Sequence, residues 1–263
     1  MRKFFTVAML VAFPLSAAAS TAPTSAVFHD TQTKATCGPN GKPGAADPAE
    51  NALKNRIAMP KTTIATTVAE FRNLPSHAKT SRSNWTAAEL AQFKALEDVP
   101  VRIVGYLKQE VRPEGKEATN CDVPPSDKTG IDFHMWLVDT ADKDKDRRFS
   151  AVVEMAPRWR QANPGWTQAA LQALVDQGAQ VRISGWRTFD YEHPEQMKVN
   201  SAGKPPTRST LWEIHPITKI EVATSAGWVE LGAKTPAAKA AVTKKLIRTQ
   251  KGSAKSAAQT GGT

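Results

Sequence analysis

The chain has only 2 cysteines among its 263 residues, and it lacks the common catalytic fingerprints. The patterns Gly-x-Ser-x-Gly and His-Glu-x-x-His, the phosphate-binding P-loop and the dinucleotide-binding glycine motif are all missing. These absences remove the usual grounds for assigning a serine hydrolase, a zinc protease, a nucleotide hydrolase or a dinucleotide-dependent enzyme. The sequence therefore favours a non-enzymatic role without deciding the question.

Long apolar runs are also missing, because no stretch approaches the roughly 18–20 residues of a transmembrane helix. At the N-terminus, Arg2 and Lys3 precede a shorter apolar stretch at 4–15, and the alanines at 17–19 fit the small-residue cleavage rule. We expect a signal peptide at residues 1–19 and a periplasmic or secreted mature protein. The alternative is an uncleaved anchor.

The expected state of the two cysteines, Cys37 and Cys121, depends on the compartment in which the protein lies. In an oxidising compartment, two cysteines most simply form one disulfide. Two free buried thiols are the alternative. A two-cysteine metal site needs further ligands at fixed spacing, and none flank these residues.

Acidic residues are missing from the end of the chain, where six lysines and one arginine follow Glu230. Without these seven residues, and without Arg2 and Lys3, the net charge of +10 falls to about +1. The fold is thus near neutral. The Ala/Lys/Thr/Ser/Gly composition of 232–263 predicts a disordered basic tail.

Before the core, two segments differ in composition. Residues 20–48 are rich in small and polar residues and predict a flexible lead-in, and 49–99 form an N-terminal extension with scattered apolar anchors. Within the extension, Thr86 and Glu89 form a capping box that predicts a helix at about 86–98.

Apolar alternation predicts a core of five strands and one helix within residues 100–231. The strands are expected at 101–111, 131–139, 149–155, 180–189 and 210–223, and the helix is expected at 167–177. Three strands, a helix and two strands is the order of an oligonucleotide/oligosaccharide-binding (OB) fold. We therefore predict a mainly β protein with a five-stranded OB-like barrel (β-β-β-α-β-β).

Alternation along the predicted second strand separates its side chains into two sets. One set is Ile131, Phe133, Met135 and Leu137, and the other is Asp132, His134 and Trp136. In a small barrel, we expect the apolar face alone to be buried.

Two carboxylate-x-histidine pairs are candidates for a divalent metal site: Asp132 with His134, and Glu213 with His215. Residues two apart on a strand project together, and carboxylate and imidazole are common metal ligands. The alternative is that these side chains hydrogen-bond to their neighbours, since the second and fifth strands need not bring the pairs together.

Interleaved cations and aromatics form a second candidate site, comprising Arg158, Arg160, Trp186, Arg187 and Tyr191. Aromatic rings can stack on bases while guanidinium groups meet phosphates. The alternative is ordinary packing at the end of the barrel.

Several motifs resemble those of a family of uncharacterised bacterial secreted proteins with an OB-fold-like barrel. The resemblance covers about 37–231 and rests on Asn51-x-Leu53-Lys54-Asn55-Arg56, Thr119-Asn120-Cys121, Asp132-Phe133-His134, Val153-Glu154-x-x-Pro157-Arg158, Val181-Arg182-Ile183-Ser184-Gly185-Trp186, Glu192-His193-Pro194 and Leu211-Trp212-Glu213-Ile214-His215-Pro216-Ile217-Thr218. Members commonly have Asp-Pro before Glu-His-Pro, where this chain has Asp190-Tyr191. The resemblance implies the fold and no activity.

Three functional hypotheses follow. The first is a binding module for single-stranded nucleic acid or another polyanion, helped by the basic tail. The second is a metal-assisted hydrolase or nuclease that uses Asp132, His134, Glu213 and His215. The third is a non-enzymatic interaction domain of the cell envelope.

Overall fold

The structure is a computed structural model, and it describes residues 37–77, 82–141 and 147–233. Within these ranges the helices are α1 (Pro48–Lys54), α2 (Val68–Arg72), α3 (Ala87–Leu96), α4 (Pro157–Ala162) and α5 (Gln168–Asp176). The strands are β1 (Ile64–Thr66), β2 (Pro100–Glu114), β3 (Asp132–Val138), β4 (Ala151–Met155), β5 (Gln180–Phe189), β6 (Trp212–Thr224) and β7 (Gly227–Glu230). The predicted signal peptide, the lead-in before residue 37 and the tail after residue 233 lie outside the described residues.

All seven described strands belong to one mixed sheet. The pairing runs from β2 through β3, β4, β6 and β5, and β5 pairs with β2 again, so that five strands form a ring. Strands β4 and β6 are parallel, and the other neighbours in the ring are antiparallel. The prediction of a mainly β protein is confirmed, and the ring strands correspond to the five predicted strands.

Strand β2 is longer than predicted and is irregular near its middle. Its pairing with β3 shifts between Lys108 and Arg112, and Gln109 between them has a φ of 63°. The side-chain oxygen of Gln172 on α5 accepts a hydrogen bond from the backbone N–H of Val111 at 2.9 Å. Because α5 satisfies this irregular backbone, β2 continues past its predicted end at residue 111 and resumes pairing with β3.

Strand β4 begins two residues later than predicted. Phe149 is the first residue of the predicted strand at 149–155, but it ends a 3₁₀ turn and is 52% exposed. The Ser150 hydroxyl donates to the Arg147 carbonyl oxygen at 2.7 Å and closes that turn. Helix α4, directly after β4, was not predicted.

The apolar core lies inside the ring and is closed by α5. Leu171 and Leu174 are buried on that helix. Thr167 caps its start by accepting a hydrogen bond from the Ala170 N–H at 3.1 Å, and Gly178 follows its end with a φ of 56°. The predicted helix position is confirmed.

The expectation of one buried face is wrong. All seven residues of β3 are buried, including Asp132, His134 and Trp136 on the face away from the core. Helix α1 packs against β6 and against the turn at 118–120, and Lys54 of α1 reaches a carboxylate of β6. Residues 37–55, which we call the N-terminal cover, thus bury a second, polar face of the ring.

The Cys37 and Cys121 sulfurs lie at disulfide distance, 2.06 Å apart, as predicted. This pair joins the N-terminal cover to the 118–121 turn, and the Asn55 side chain donates to the Thr119 carbonyl oxygen at 2.8 Å beside it. The pair is compatible with an extracytoplasmic location. None of the described helices combines the length and the apolar character needed to cross a membrane.

Candidate metal centre

The polar face of the ring carries ionisable side chains from three adjacent strands. Asp132 and His134 lie on β3, Glu154 on β4, and Glu213 and His215 on β6, each alternating with core residues. The register places His134 opposite Glu154 and brings Glu213 beside β4. Each of these five side chains is buried, with at most 5% of the residue exposed. Strand alternation and strand order therefore gather them in one place.

Glu154 is the centre of this group. Its Oε1 lies 3.0 Å from Nδ1 of His134, and its Oε2 lies 3.1 Å from Nδ1 of His215. Oε2 of Glu114 lies 2.5 Å from the same Nδ1 of His134. On the far side of His215, Oδ2 of Asp132 lies 3.6 Å from Nε2. One carboxylate thus links two imidazoles, each with a second carboxylate.

We call one set of five residues the carboxylate–imidazole cluster: Glu114, Asp132, His134, Glu154 and His215. It contains two sets that share Glu154: the outer trio of Glu114, His134 and Glu154, and the inner trio of Asp132, Glu154 and His215. In each trio, one potential ligand atom per residue lies within 4.8 Å of the other two. That spacing allows a single cation to bind all three side chains after small rotations.

A second group of charges adjoins the cluster and contains two permanent cations. Arg208 lies 2.6 Å from Oδ2 of Asp190 and 3.0 Å from Oε2 of Glu213. Lys54 lies 3.2 Å from Glu50, 3.4 Å from Asp190 and 3.9 Å from Glu213. These two cations and three carboxylates form the cation network. Glu213 therefore has permanent positive charges beside it.

The carboxylate–imidazole cluster has less permanent positive charge than the cation network. Among the described residues, the ion-pair partners of Asp132 and Glu154 are imidazoles alone, with no lysine or arginine. Glu114 also contacts Arg112, whose side chain is 42% exposed. Since buried carboxylates need a neighbouring cation, the cluster depends on protons, or on an ion that replaces them.

The pKa values reflect this excess of negative charge. Burial lowers the pKa of His134, but the charge of Glu154 and the hydrogen bond to Glu114 raise it to about 9. Burial and the charge of Glu154 compete in the same way at His215, whose pKa lies well above its usual value. Burial raises the pKa of Asp132 to about 6, although His215 opposes the rise. The field at both imidazoles therefore favours a positive charge.

Several buried atoms at the cluster have no hydrogen-bond partner among the described residues. They are Oδ1 of Asp132, Nε2 of His134, Nε2 of His215 and Oδ1 of Asn120. The Asn120 side-chain nitrogen donates to Oδ2 of Asp132 at 2.9 Å and so fixes that carboxylate. An unpaired buried polar atom costs about 1–3 kcal/mol, so a group of them marks a place where a ligand is expected.

The predicted metal set was Asp132, His134, Glu213 and His215, and the structure brings these side chains together. Glu213 lies 3.3 Å from His215, but it also contacts Arg208. The link between the two predicted pairs is Glu154, which was not predicted as a ligand, and Glu114 was missed as well. Glu154 had a usable signal, because it faces the side of its strand opposite the apolar residues.

The predicted nucleic-acid platform is spread over several contacts within the protein. Arg160 donates to the carbonyl oxygens of Lys128 and Thr129 at 2.8 and 3.3 Å. Its guanidinium carbon also lies 3.9 Å from the centre of the Phe133 ring. Arg158, on the same helix, is half-buried. Both arginines therefore lie against the protein rather than on an open surface.

The other platform residues also have internal partners. Trp186 donates to the Ala58 carbonyl oxygen at 2.9 Å, and Arg187 donates to the Leu96 carbonyl oxygen at 2.6 Å. Tyr191 is buried, and its hydroxyl lies 2.8 Å from a carboxylate oxygen of the N-terminal cover. These contacts go to different segments, so no shared exposed surface follows from them.

Comparisons of the chain with protein-family models, with curated proteins and with solved structures found no match. The resemblance to secreted OB-fold-like proteins stays a prediction. The ground for a function is therefore the geometry of the carboxylate–imidazole cluster.

Proposed function

We propose that this protein is a periplasmic or secreted domain that binds a divalent metal ion at Glu114, His134 and Glu154. We further propose that its ring of strands is an OB-like barrel. The order of pairing supports the barrel, since the first predicted strand pairs with both the second and the fourth, and the third pairs in parallel with the fifth.

The observation that carries the metal proposal is the environment of Glu154. This carboxylate is 5% exposed, and each of its oxygens faces a different imidazole. No lysine or arginine of the described residues forms an ion pair with it. Removing a carboxylate from water costs several kcal/mol unless a cation compensates, and a divalent ion can supply that positive charge in place of the protons on the imidazoles.

The distances in the outer trio fit a metal ion. Nδ1 of His134 lies 2.5 Å from Glu114 and 3.0 Å from Glu154, so both carboxylates face the same nitrogen. Ligand atoms about 2.0–2.2 Å from a tetrahedral Zn²⁺ lie about 3.4 Å from one another. Moving the side chains apart by less than about 1 Å creates that geometry. One nitrogen and two carboxylates suit Zn²⁺, Mn²⁺ or Fe²⁺ better than Ca²⁺.

Polyanion binding has less support than metal binding. Four of the five platform residues, Arg160, Trp186, Arg187 and Tyr191, use polar atoms within the protein, and most of the positive charge belongs to a tail outside the described residues. The interaction-domain hypothesis has no contact that argues for it. Both stay predictions.

The test is metal binding by the disulfide-bonded protein after treatment with a chelator. Calorimetric titration with Zn²⁺ and with Mn²⁺ is expected to show saturable binding, and elemental analysis is expected to show retained metal after dialysis. Glu114→Gln is expected to weaken the affinity at the outer trio by at least about 10–100-fold, the range for second-shell changes. No binding by the folded wild type would overturn the proposal.

The matched control is Glu110→Gln. Glu110 lies on the same strand as Glu114, but its side chain is 65% exposed and its ion-pair partner is Arg147 at 3.8 Å. This substitution removes the same charge away from the cluster and is expected to leave the affinity unchanged. Equal losses in both variants would point to a diffuse electrostatic effect instead of coordination.

Metal-assisted hydrolysis is a second candidate, favoured by the partial exposure of Glu114. Its side chain is 18% exposed, so the outer trio meets the surface, and three protein ligands leave a position for water. The test is cleavage of an activated phosphodiester by the zinc-loaded and manganese-loaded wild type, with Glu114→Gln as the inactive control. Equal rates for the wild type and this variant would refute it.

A further inference from the structure

The inner trio lies deeper than the outer trio and has its own unsatisfied atoms. Asp132 and His215 are fully buried, with 0% of each residue exposed. Oδ1 of Asp132 and Nε2 of His215 have no hydrogen-bond partner among the described residues. An ion in the outer trio leaves both atoms as they are, because neither residue belongs to that trio.

The two nitrogens of His215 have different surroundings. Oε1 of Glu213 lies 3.3 Å from Nδ1 and accepts its proton, so Oε2 of Glu154 is not needed as the acceptor. Nε2 faces Asp132 at 3.6 Å, which is too far for a hydrogen bond. Metal-binding histidines commonly donate one ring N–H to a carboxylate and coordinate the ion with the other nitrogen. The surroundings of His215 have this form, with Nε2 as the nitrogen left for an ion.

Glu154 is placed to serve both trios at once. Its Oε1 faces His134 of the outer trio, and its Oε2 faces the ring of His215 in the inner trio. A carboxylate that offers one oxygen to each side is the usual bridge between two metal ions about 3.5–4 Å apart. The Asn120 side-chain nitrogen donates to Oδ2 of Asp132 at 2.9 Å, and such a hydrogen bond is typical of a residue that orients a metal ligand.

We propose that the inner trio binds a second divalent ion, so that Glu154 bridges a pair of ions. This inference rests on the proposed function of the outer trio. Asp132 and Nε2 of His215 are the ligands special to the inner ion, and Glu114 and His134 are special to the outer one. Glu213 is a positioning residue that orients His215 and remains paired with Arg208.

The first experiment measures how many ions each protein binds. The chelator-treated wild type, titrated with Zn²⁺ and measured by elemental analysis, is expected to bind two equivalents. Asp132→Asn and Glu114→Gln are each expected to bind one, because each variant loses a ligand special to one ion. Asp176→Asn, on the exposed end of α5, is the matched control and is expected to bind two.

The second experiment needs no variant and covers the case in which Asp132→Asn does not fold. Electron paramagnetic resonance of the wild type with two equivalents of Mn²⁺ is expected to show the broad spectrum of a coupled pair. One equivalent or less at saturation, or an uncoupled six-line spectrum at two equivalents, overturns the bridged pair.

The two proposals fail in different ways. If the folded wild type binds no ion, the proposed function fails and the inference falls with it. If the wild type binds one equivalent, and Glu114→Gln abolishes binding while Asp132→Asn leaves the affinity unchanged, the outer trio stands and the inner ion is refuted. If Asp132→Asn abolishes binding of a single ion while Glu114→Gln does not, the inner trio is the sole site.

Discussion

Arg208 is enclosed between two carboxylates and two backbone carbonyls. Replacing it tests how much the buried ion pairs of the polar face contribute to the free energy of unfolding. The residue is 1% exposed. It lies 2.6 Å from Asp190 and 3.0 Å from Glu213, and it donates to the carbonyl oxygens of Thr210 and Leu211 at 2.7 and 3.3 Å. The substitution Arg208→Met keeps much of the side-chain volume and removes the charge and every donor.

The expected loss of stability follows from the groups that lose Arg208 as a partner. Burial raises the pKa of Asp190, but Lys54 and Arg208 more than reverse this and hold it well below its usual value. Without Arg208, Asp190 retains Lys54, while the two carbonyls lose a donor. Removing one partner of a buried pair costs about 3–5 kcal/mol. At about 2–4 °C per kcal/mol for a chain of this size, the melting temperature should fall by about 6–20 °C.

The assay is urea unfolding at pH 7, followed by circular dichroism, with Lys42→Met as the control. Lys42 pairs with Asp122 at the surface, where the side chains are 52% and 43% exposed. Removing such an exposed pair should cost at most about 1 kcal/mol. A loss below about 1 kcal/mol for Arg208→Met would show that the buried network does not fix this face, and would refute the reasoning.

Two further predictions concern the N-terminal cover and the cation network. Replacing Cys37 and Cys121 by serine should lower the free energy of unfolding by about 4.6 kcal/mol, because the disulfide closes a separation of 84 residues. Urea titrations of the wild type with and without reductant, and of the variant, measure this loss. Equal midpoints would contradict the prediction. The hydrogen bond to Asp190 raises the pKa of His193 from 6.5 to about 9 despite partial burial. His193 should therefore stabilise the fold fully below about pH 6.5 and lose this effect as the pH rises through about 9, so the stability gap to His193→Gln should narrow between pH 6.5 and 10.

Elements with local signals were predictable from the sequence. The bounds of β5, Gln180–Phe189, are those predicted, and the capping box of Thr86 and Glu89 is present at the start of α3. A strand pattern needs only the alternation of its own residues, and a capping box needs four consecutive residues. Neither depends on what packs against the element from elsewhere in the chain.

The second buried face had no local signal. Residues 37–55 are far in sequence from the strands that they cover, and the polar composition before residue 48 predicts a flexible lead-in. The proposed ligands Glu114 and Glu154 were missed for related reasons. Glu114 lies beyond the predicted end of its strand at residue 111. Glu154 was missed because the sequence does not show that its strand lies between those of His134 and His215, as it does in the structure.

Stability alone does not explain the carboxylate–imidazole cluster. Replacing buried ion pairs by apolar side chains of similar volume is often neutral or stabilising, so a fold has no general need for them. Here, Asp132, Glu154 and His215 occupy positions on three core strands where apolar residues would pack without unpaired atoms. Each carboxylate of the cation network contacts Lys54 or Arg208, whereas the ion-pair partners of Asp132 and Glu154 in the cluster are imidazoles. An ion bound at the inner trio would give Oδ1 of Asp132 and Nε2 of His215 the partner that they lack among the described residues.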